Sequence, residues 1–445
     1  MIGFETIGNA TITVFDDIPV LTTDPWVYGN PYFGSWGHKY EIPKEQLENI
    51  KKSKFVWLSH GHPDHIDPDS FDLFKDKTIL VADHYGDRIF NDLSTKYTCI
   101  KIKSNSWFEI SKNVRVKSFA DWNQDSTLII EILKKDIILN LNDGQACGWS
   151  KVVKDTIKNY NNRFLLRLVS WGDADMINIY NHHNEFVLPL AANKQPCGET
   201  YSYYMKKWNC NMSLPFSSLH KYIREDSIKM NKFVTPLNLH YEKFNNKYGE
   251  LFPAFIKWNS EKGDFLEIKP KENTTEIKSA EFFGDNYSDE LSSEDENNLF
   301  LYFSKFDHLK KKFGFINFRV GKKDFNIKLS NRQEGIKFET PRNSLMFSIN
   351  NNIFDDMLIG NFMKTQLIGV PSLYPDFTFY VTKYGDNGGA KTTSELKSYF
   401  DYYKFNSANY WIDFLGLKSE EIIRTKLEKY KKIYYFARSI KRSFT

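Results

Sequence analysis

Cysteine is scarce: four in 445 residues, at Cys99, Cys147, Cys197 and Cys210, far apart in the chain. Neither a Cys-x-x-Cys nor a Cys-x-His pair occurs, which excludes a zinc ribbon, a ferredoxin-like cluster and a Rieske centre. A disulfide framework is not expected either, because a chain of this length buries a core without covalent staples. Charge of one sign is also missing. With 60 Lys and Arg against 56 Asp and Glu, the net charge is +4, too weak to point to nucleic acid, and no such partner is expected. No apolar run reaches about 18 residues, so no transmembrane segment is expected. The start, Met1-Ile2-Gly3-Phe4-Glu5, lacks the basic and apolar stretches of a signal peptide. A cytoplasmic location is the default expectation. What is plentiful is aromatic surface, 16% of the residues, suited to broad packing faces or ring-lined pockets.

Alternation over residues 10–23, interrupted by Asp16-Asp17, predicts a hairpin. Phe55-Val56-Trp57-Leu58 predicts a buried strand, Pro68-Asp69-Ser70-Phe71 opens a short helix, and Ile79-Leu80-Val81-Ala82 predicts another strand. A loop between such a strand and helix lies at a strand's C-terminal end, where α/β folds place their sites. Further strands are expected near 114–119, 127–133 and 136–141, and a helix over 150–160. Residues 271–298 turn polar and read as a linker or exposed excursion. They divide a catalytic region, 1–270, from a smaller α+β unit, 299–445. That unit contains a hairpin around Gly321-Lys322-Lys323. It ends in a basic helix expected from Ser419, carrying Lys426, Lys429, Lys431, Lys432, Arg438, Lys441 and Arg442.

The chemistry concentrates in His60-Gly61-His62-Pro63-Asp64-His65. Three of the ten histidines fall in these six residues, directly after an apolar strand. Side chains of an extended turn alternate in direction, so His60 and His62 can share one cation while Asp64 and His65 serve a second. Imidazole mixed with carboxylate suits zinc, iron or manganese. Asp67 is placed to orient a ligating histidine through its other ring nitrogen.

This motif, with Asp24-Pro25-Trp26 upstream after two strands, resembles the metallo-β-lactamase fold over roughly residues 1–260. The resemblance implies an α/β architecture, the αββα sandwich, with one or two metals between its sheets. It implies a bridging Asp after a strand, matched by Asp143 in Leu141-Asn142-Asp143-Gly144. It implies a late His, matched by His220 in Leu214-Pro215-Phe216-Ser217-Ser218-Leu219-His220, with His240 as the alternative. It also implies a His at the third position, and Phe119-Ala120-Asp121-Trp122-Asn123-Gln124-Asp125-Ser126-Thr127 has none. Asp121 or Asp125 stands in, or that ligand is missing. Spacing favours Asp121, and Asp125 reads equally as a turn residue. A carboxylate there hardens the site and favours iron or manganese over zinc.

A narrower similarity rests on Thr23-Asp24-Pro25-Trp26-Val27-Tyr28-Gly29, Tyr32-Phe33-Gly34-Ser35-Trp36, Asp125-Ser126-Thr127-Leu128-Ile129-Ile130-Glu131 and Phe354-Asp355-Asp356-Met357-Leu358-Ile359-Gly360. These are similar to the lactamase-fold part of the CMP-N-acetylneuraminate hydroxylases. That family hydroxylates a nucleotide sugar with O2, using iron and a Rieske cluster. Without a Rieske domain this chain needs an external electron donor. The β-hydroxylase of chloramphenicol assembly is a second analogy, with a di-iron centre in a lactamase fold and a carboxylate at the third motif.

Two activities compete. One is a binuclear non-haem iron oxygenase or hydroxylase of a small or nucleotide-linked substrate. The other is a metal-dependent hydrolase of a phosphoester, lactone or amide, in which Asp64 orients or deprotonates a metal-activated water. The fold supports both. A binding protein with a degenerate site is disfavoured by the intact His/Asp cluster. Two divalent metal ions are expected, iron favoured, with zinc or manganese as alternatives, and a small-molecule substrate. Candidate substrate contacts are Trp36 and His38 in the aromatic loop, and Arg224, whose fork fits phosphate or carboxylate unless it is spent on a salt bridge.

Overall fold

Four apolar residues in succession, Phe55–Leu58, form a strand buried on both faces, as a strand between parallel neighbours must be. The computed structural model describes residues 1–170, 177–274 and 276–427. In it this strand lies between Ile18–Thr23 and Thr78–Ala82, parallel to both. It belongs to an eight-stranded sheet that runs from Asp264–Glu267 at one edge to Thr98–Ile102 at the other. Alternate residues serve alternate cores. Phe55 and Trp57 face a second sheet, while Val56 and Leu58 face outward onto Ile50, Phe71 and Phe74 of the flanking helices. Truncating a fully buried ring such as Trp57 costs about 3–5 kcal/mol.

The second sheet has seven strands, with Val114–Ala120, Ser126–Ile132, Asp136–Asn142 and Asn162–Arg167 at its centre. Val116, Leu128, Ile130, Ile138 and Phe164 meet Phe4, Ile12, Val14 and Leu21 of the first sheet in one core. On its outer face Ile129, Ile137 and Leu139 receive Val153 and Ile157 of helix Ser150–Ile157, and Met205 and Trp208 of helix Gly198–Trp208. The layers are therefore helix, sheet, sheet, helix.

A third sheet of five strands is built from Phe315–Val320, Lys323–Lys328, Gly335–Glu339 and Lys364–Ile368, with Ile179–Tyr180 on its edge, parallel to Lys364–Ile368. Its core is rich in phenylalanine, with Phe303, Phe318, Phe338, Phe354 and Phe377 among its members. The polar stretch before it is laid onto the fold. Glu272 bridges Tyr40, and Asp285 is buried. Ser292 caps helix Ser293–Phe303 in a reciprocal capping box with Asp295. Further along, Tyr384, Tyr399, Tyr403 and Tyr410 pack into the core between the first two sheets. The terminal helix begins earlier than expected, spanning Tyr410–Leu427, so Ser419 is interior to it and not its cap. The basic positions Lys429, Lys431, Lys432, Arg438, Lys441 and Arg442 lie outside the described residues. Among the described residues no helix is long and apolar enough to cross a membrane.

Candidate metal centre

Topology brings the metal-type residues together from both sheets. The loop His60–His65 leaves the C-terminal end of Phe55–Leu58, and Asp143 follows Asp136–Asn142 in the facing sheet. Ser126–Ile132 runs antiparallel to Asp136–Asn142, so Asp125, at the start of one strand, stands beside Asp143, at the end of the other. The donors of His60, His65 and Asp143 lie within 4.8 Å of one another, about twice the roughly 2.1 Å of a single metal–nitrogen bond. His60 Nε2 is 3.8 Å from Asp143 Oδ2.

The outer nitrogens of these rings are held. Ser59 Oγ lies 2.8 Å from His60 Nδ1, and Asn142 Nδ2 donates to the same hydroxyl at 3.2 Å. Asp24 Oδ1 sits 3.5 Å from His65 Nδ1 and accepts the Ser59 backbone N–H at 2.8 Å. This is the support a ligating histidine requires, one nitrogen anchored so that the other faces the ion. Two buttressed imidazoles and a carboxylate fit a divalent cation. Asp64 lies beneath them, with Oδ2 3.3 Å from His65 Nε2. It accepts from Tyr32 Oη at 2.5 Å and Asn9 Nδ2 at 3.0 Å.

The opposite wall comes from the far end of the chain. His62 Nδ1 faces His60 Nε2 at 2.8 Å, but its Nε2 lies 2.9 Å from Asp355 Oδ2, on helix Phe354–Ile359. Lys383 Nζ, from helix Phe379–Asn387, lies 3.5 Å from Asp125 Oδ1. His62, Asp355, Lys383 and Asp125, with Asp64, His65 and Asp143, line a cleft of about 1220 Å³ whose walls include Trp36, Trp122 and Tyr384.

Burial sets the electrostatics. It pushes His60 well below the usual imidazole range, reinforced by His65 and His62, which keeps the ring neutral, the metal-binding form. It pushes Asp143 up to about 6, with His65 opposing. Burial also works against the charged forms of Asp64 and His65, yet their mutual attraction prevails. Asp64 is held well below the carboxylate range and His65, with Asp24 adding its charge, well above its own. Burial opposes the Lys383 ammonium too, but Asp125, Asp355, Asp143 and Asp121 outweigh it and raise its pKa.

Some expected residues lie elsewhere. Asp121, which spacing favoured over Asp125, is the turn residue. Its carboxylate accepts the Asn123 N–H at 2.8 Å and the Cys147 N–H at 3.4 Å, an Asx-type turn, and Asp125 faces the cleft instead. His220 is fully buried, its ring flat on Trp36 at 3.5 Å and 6°, and is not among the converging donors. His240 is a core residue bonded through Nδ1 to Tyr201 Oη at 2.9 Å. Trp36 lines the cleft, whereas His38 lies behind it, stacked on Trp26 at 4.0 Å. Arg224 does not reach the cleft. Its guanidinium donates to Asp226, to the Phe33 carbonyl and to Asp285, and lies 4.1 Å over Phe362. Every edge of the fork is spent inside the protein. Asp67 caps helix Pro68–Phe71 through the Asp69 N–H, and the role foreseen for it falls to Asp24. The capped helix meets the Asp24 loop closely. Gly29 has φ +81°, and a Cβ there would come within 2.5 Å of Asp67 Oδ1. Asp355 stood in a stretch already noted for its similarity to the hydroxylases, but no local pattern marked Lys383.

No family model matches the chain. Over 109 residues the chain is 28% identical to the cytidine monophosphate-N-acetylneuraminic acid hydroxylase of Asterias rubens, covering 23% of this chain and 17% of that protein. The matched segments span at most 30% of the curated relatives' length. Among solved structures, a possible metal-dependent hydrolase from Veillonella parvula superposes with a TM-score of 0.39 at 11% identity, covering 60% of this chain and all of its own. A CmlA β-hydroxylase variant superposes with a TM-score of 0.33 at 12% identity, over 48% of this chain and 45% of its own. Two facing mixed sheets, helices on both outer faces and a His-x-His-x-Asp-His loop opposite Asp143 give this chain the metallo-β-lactamase fold.

Proposed function

We propose that the protein is a metal-dependent enzyme, a non-haem iron oxygenase that hydroxylates a small or nucleotide-linked substrate. One observation carries this reading: His60, His65 and Asp143 converge within 4.8 Å at the edge of a large cleft. Two histidines and one carboxylate with room beside them form the ligand set of non-haem iron oxygenases. Iron bound there supplies the redox chemistry with dioxygen. The chain's own residues do the rest. Ser59 and Asp24 fix the two ring planes. Tyr32 and Asn9 hold Asp64, which holds His65. Trp36, Trp122 and Tyr384 form apolar wall that excludes water around a bound substrate. Electrons come from an external donor. The similarity to hydroxylases supports this reading, and so does the carboxylate, Asp125, at the third motif position.

A hydrolase acting through a metal-activated water is the second reading. Asp125 favours it, since it is a carboxylate that faces the cleft outside the converging donors and is able to take a proton from that water. Metal content and optical spectrum after aerobic purification decide between the two. The expected result is iron, with absorption that changes on reduction. Zinc filling the site, with no iron taken up on anaerobic reconstitution, overturns the oxygenase reading.

A further inference from the structure

We infer that Lys383 takes the place of a second cation, so that this chain holds one metal ion where a binuclear centre was expected. The inference rests on the metal reading above and concerns how many ions the site accepts. In the expected binuclear arrangement, His60 and His62 share one ion, Asp64 and His65 serve the other, and the third-motif residue is a further ligand. The structure spends one of these donors differently. His62 is not that one, because Asp355 anchors its Nε2 at 2.9 Å and leaves Nδ1 facing His60 Nε2 at 2.8 Å. Asp125, the cleft-facing residue of the third motif, has the Lys383 ammonium 3.5 Å away. Lys383 is not a surface lysine that happens to reach in. Its side chain is 17% exposed, and the helix that carries it, Phe379–Asn387, also contributes Val381 to the phenylalanine-rich core and Tyr384 to the core between the sheets. The ammonium is thus fixed by the fold on the wall that holds Asp125, Asp143 and Asp355.

A fixed positive charge at that point does two things. It compensates the carboxylates that a second ion would neutralise, and it repels any cation approaching Asp125 at short range in a poorly screened site. His60, His65 and Asp143 each bring one donor within 4.8 Å of the others, which suits one ion. The loss of the third-motif histidine and the presence of Lys383 are then one change. Once a lysine supplies the charge, an imidazole at that position has no ion to bind.

Metal stoichiometry tests this without any assay of turnover. The full chain is dialysed against ferrous iron under anaerobic conditions, and in parallel against cobalt(II), and bound metal is measured per chain. The wild type is expected to hold one ion. Lys383→Gln, which removes the charge and keeps a polar side chain, is expected to hold a second at the same free concentration, and Lys383→Arg to stay at one. The cobalt absorption spectrum reports the added ion separately. Two equally held ions in the wild type overturn the inference, and so does a folded Lys383→Gln variant that stays at one. If Lys383→Gln does not fold, the wild-type count and Lys383→Arg still decide. A wild type that binds no ion defeats the metal reading itself.

Discussion

His62 Nε2 lies 2.9 Å from Asp355 Oδ2 although 293 residues separate the two in sequence. Both side chains are nearly buried, 10% and 13% exposed. Replacing Asp355 with Ala leaves a ring nitrogen without its acceptor at the cleft wall, at an expected cost of about 1–3 kcal/mol. Asp355→Asn keeps an acceptor and is expected to recover most of it. Urea denaturation of the three proteins measures the difference, and equal midpoints would remove the pair from any stabilising role.

Metal binding is expected to stabilise the fold, because the donors converge only in the native state. Saturation at a hundredfold excess over the dissociation constant adds about 2.7 kcal/mol. Thermal unfolding with and without ferrous iron measures this gain. His60→Ala and Asp143→Ala are each expected to abolish it, and either variant responding like the wild type would displace that residue from the site.

Arg224 is sealed against Asp285, which is itself 1% exposed. Removing one partner of such a pair leaves an uncompensated charge and costs about 3–5 kcal/mol. Arg224→Ala is therefore expected to lower stability by that amount in a denaturant titration. The double change Arg224→Met with Asp285→Asn is expected to cost less than Arg224→Ala alone. A loss of substrate affinity in Arg224→Lys without any loss of stability would return Arg224 to the substrate.

His240 gives a pH dependence. Burial, with a contribution from Lys39, lowers its pKa to about 4. Between about 6.5 and 4 the unfolded imidazole takes up a proton that the folded one refuses, so stability falls as the pH drops through that window and is level above it. The full fall from this one group is about 3 kcal/mol. His240→Gln is expected to flatten that part of the profile, measured as unfolding free energy against pH. An unchanged slope would assign the acid sensitivity to other groups.

Sequence pattern reveals those parts of this protein whose causes are local. Phe55–Leu58 shows in four consecutive apolar residues that it is buried on both faces. The clustering of His60, His62, Asp64 and His65 marks a metal loop because that density of ligands has few other uses. What sequence does not show is which partner a polar group finds across the fold. Read along the chain, Asp67 is the support for a ligating histidine, and only packing gives His65 to Asp24 and the helix cap to Asp67. Spacing ranks Asp121 above Asp125, yet the Asx-type turn inverts their roles. Arg224 has the chemistry of a substrate clamp but is consumed by Asp226, Asp285 and a carbonyl. Lys383 is one of many lysines until the helix that carries it is placed against the cleft.

The wall that Asp355 and Lys383 contribute also sets the order in which the site is assembled. Asp355 follows His62 by 293 residues and Lys383 follows Asp125 by 258, so a ribosome delivers the metal loop and Asp143 well before the residues that pair with His62 and Asp125. A chain halted before them carries every converging metal donor and an unfinished cavity, open to water and to unintended ions. The cleft wall is thus completed only once Asp355 and Lys383 have been made, after every converging donor is already in the chain.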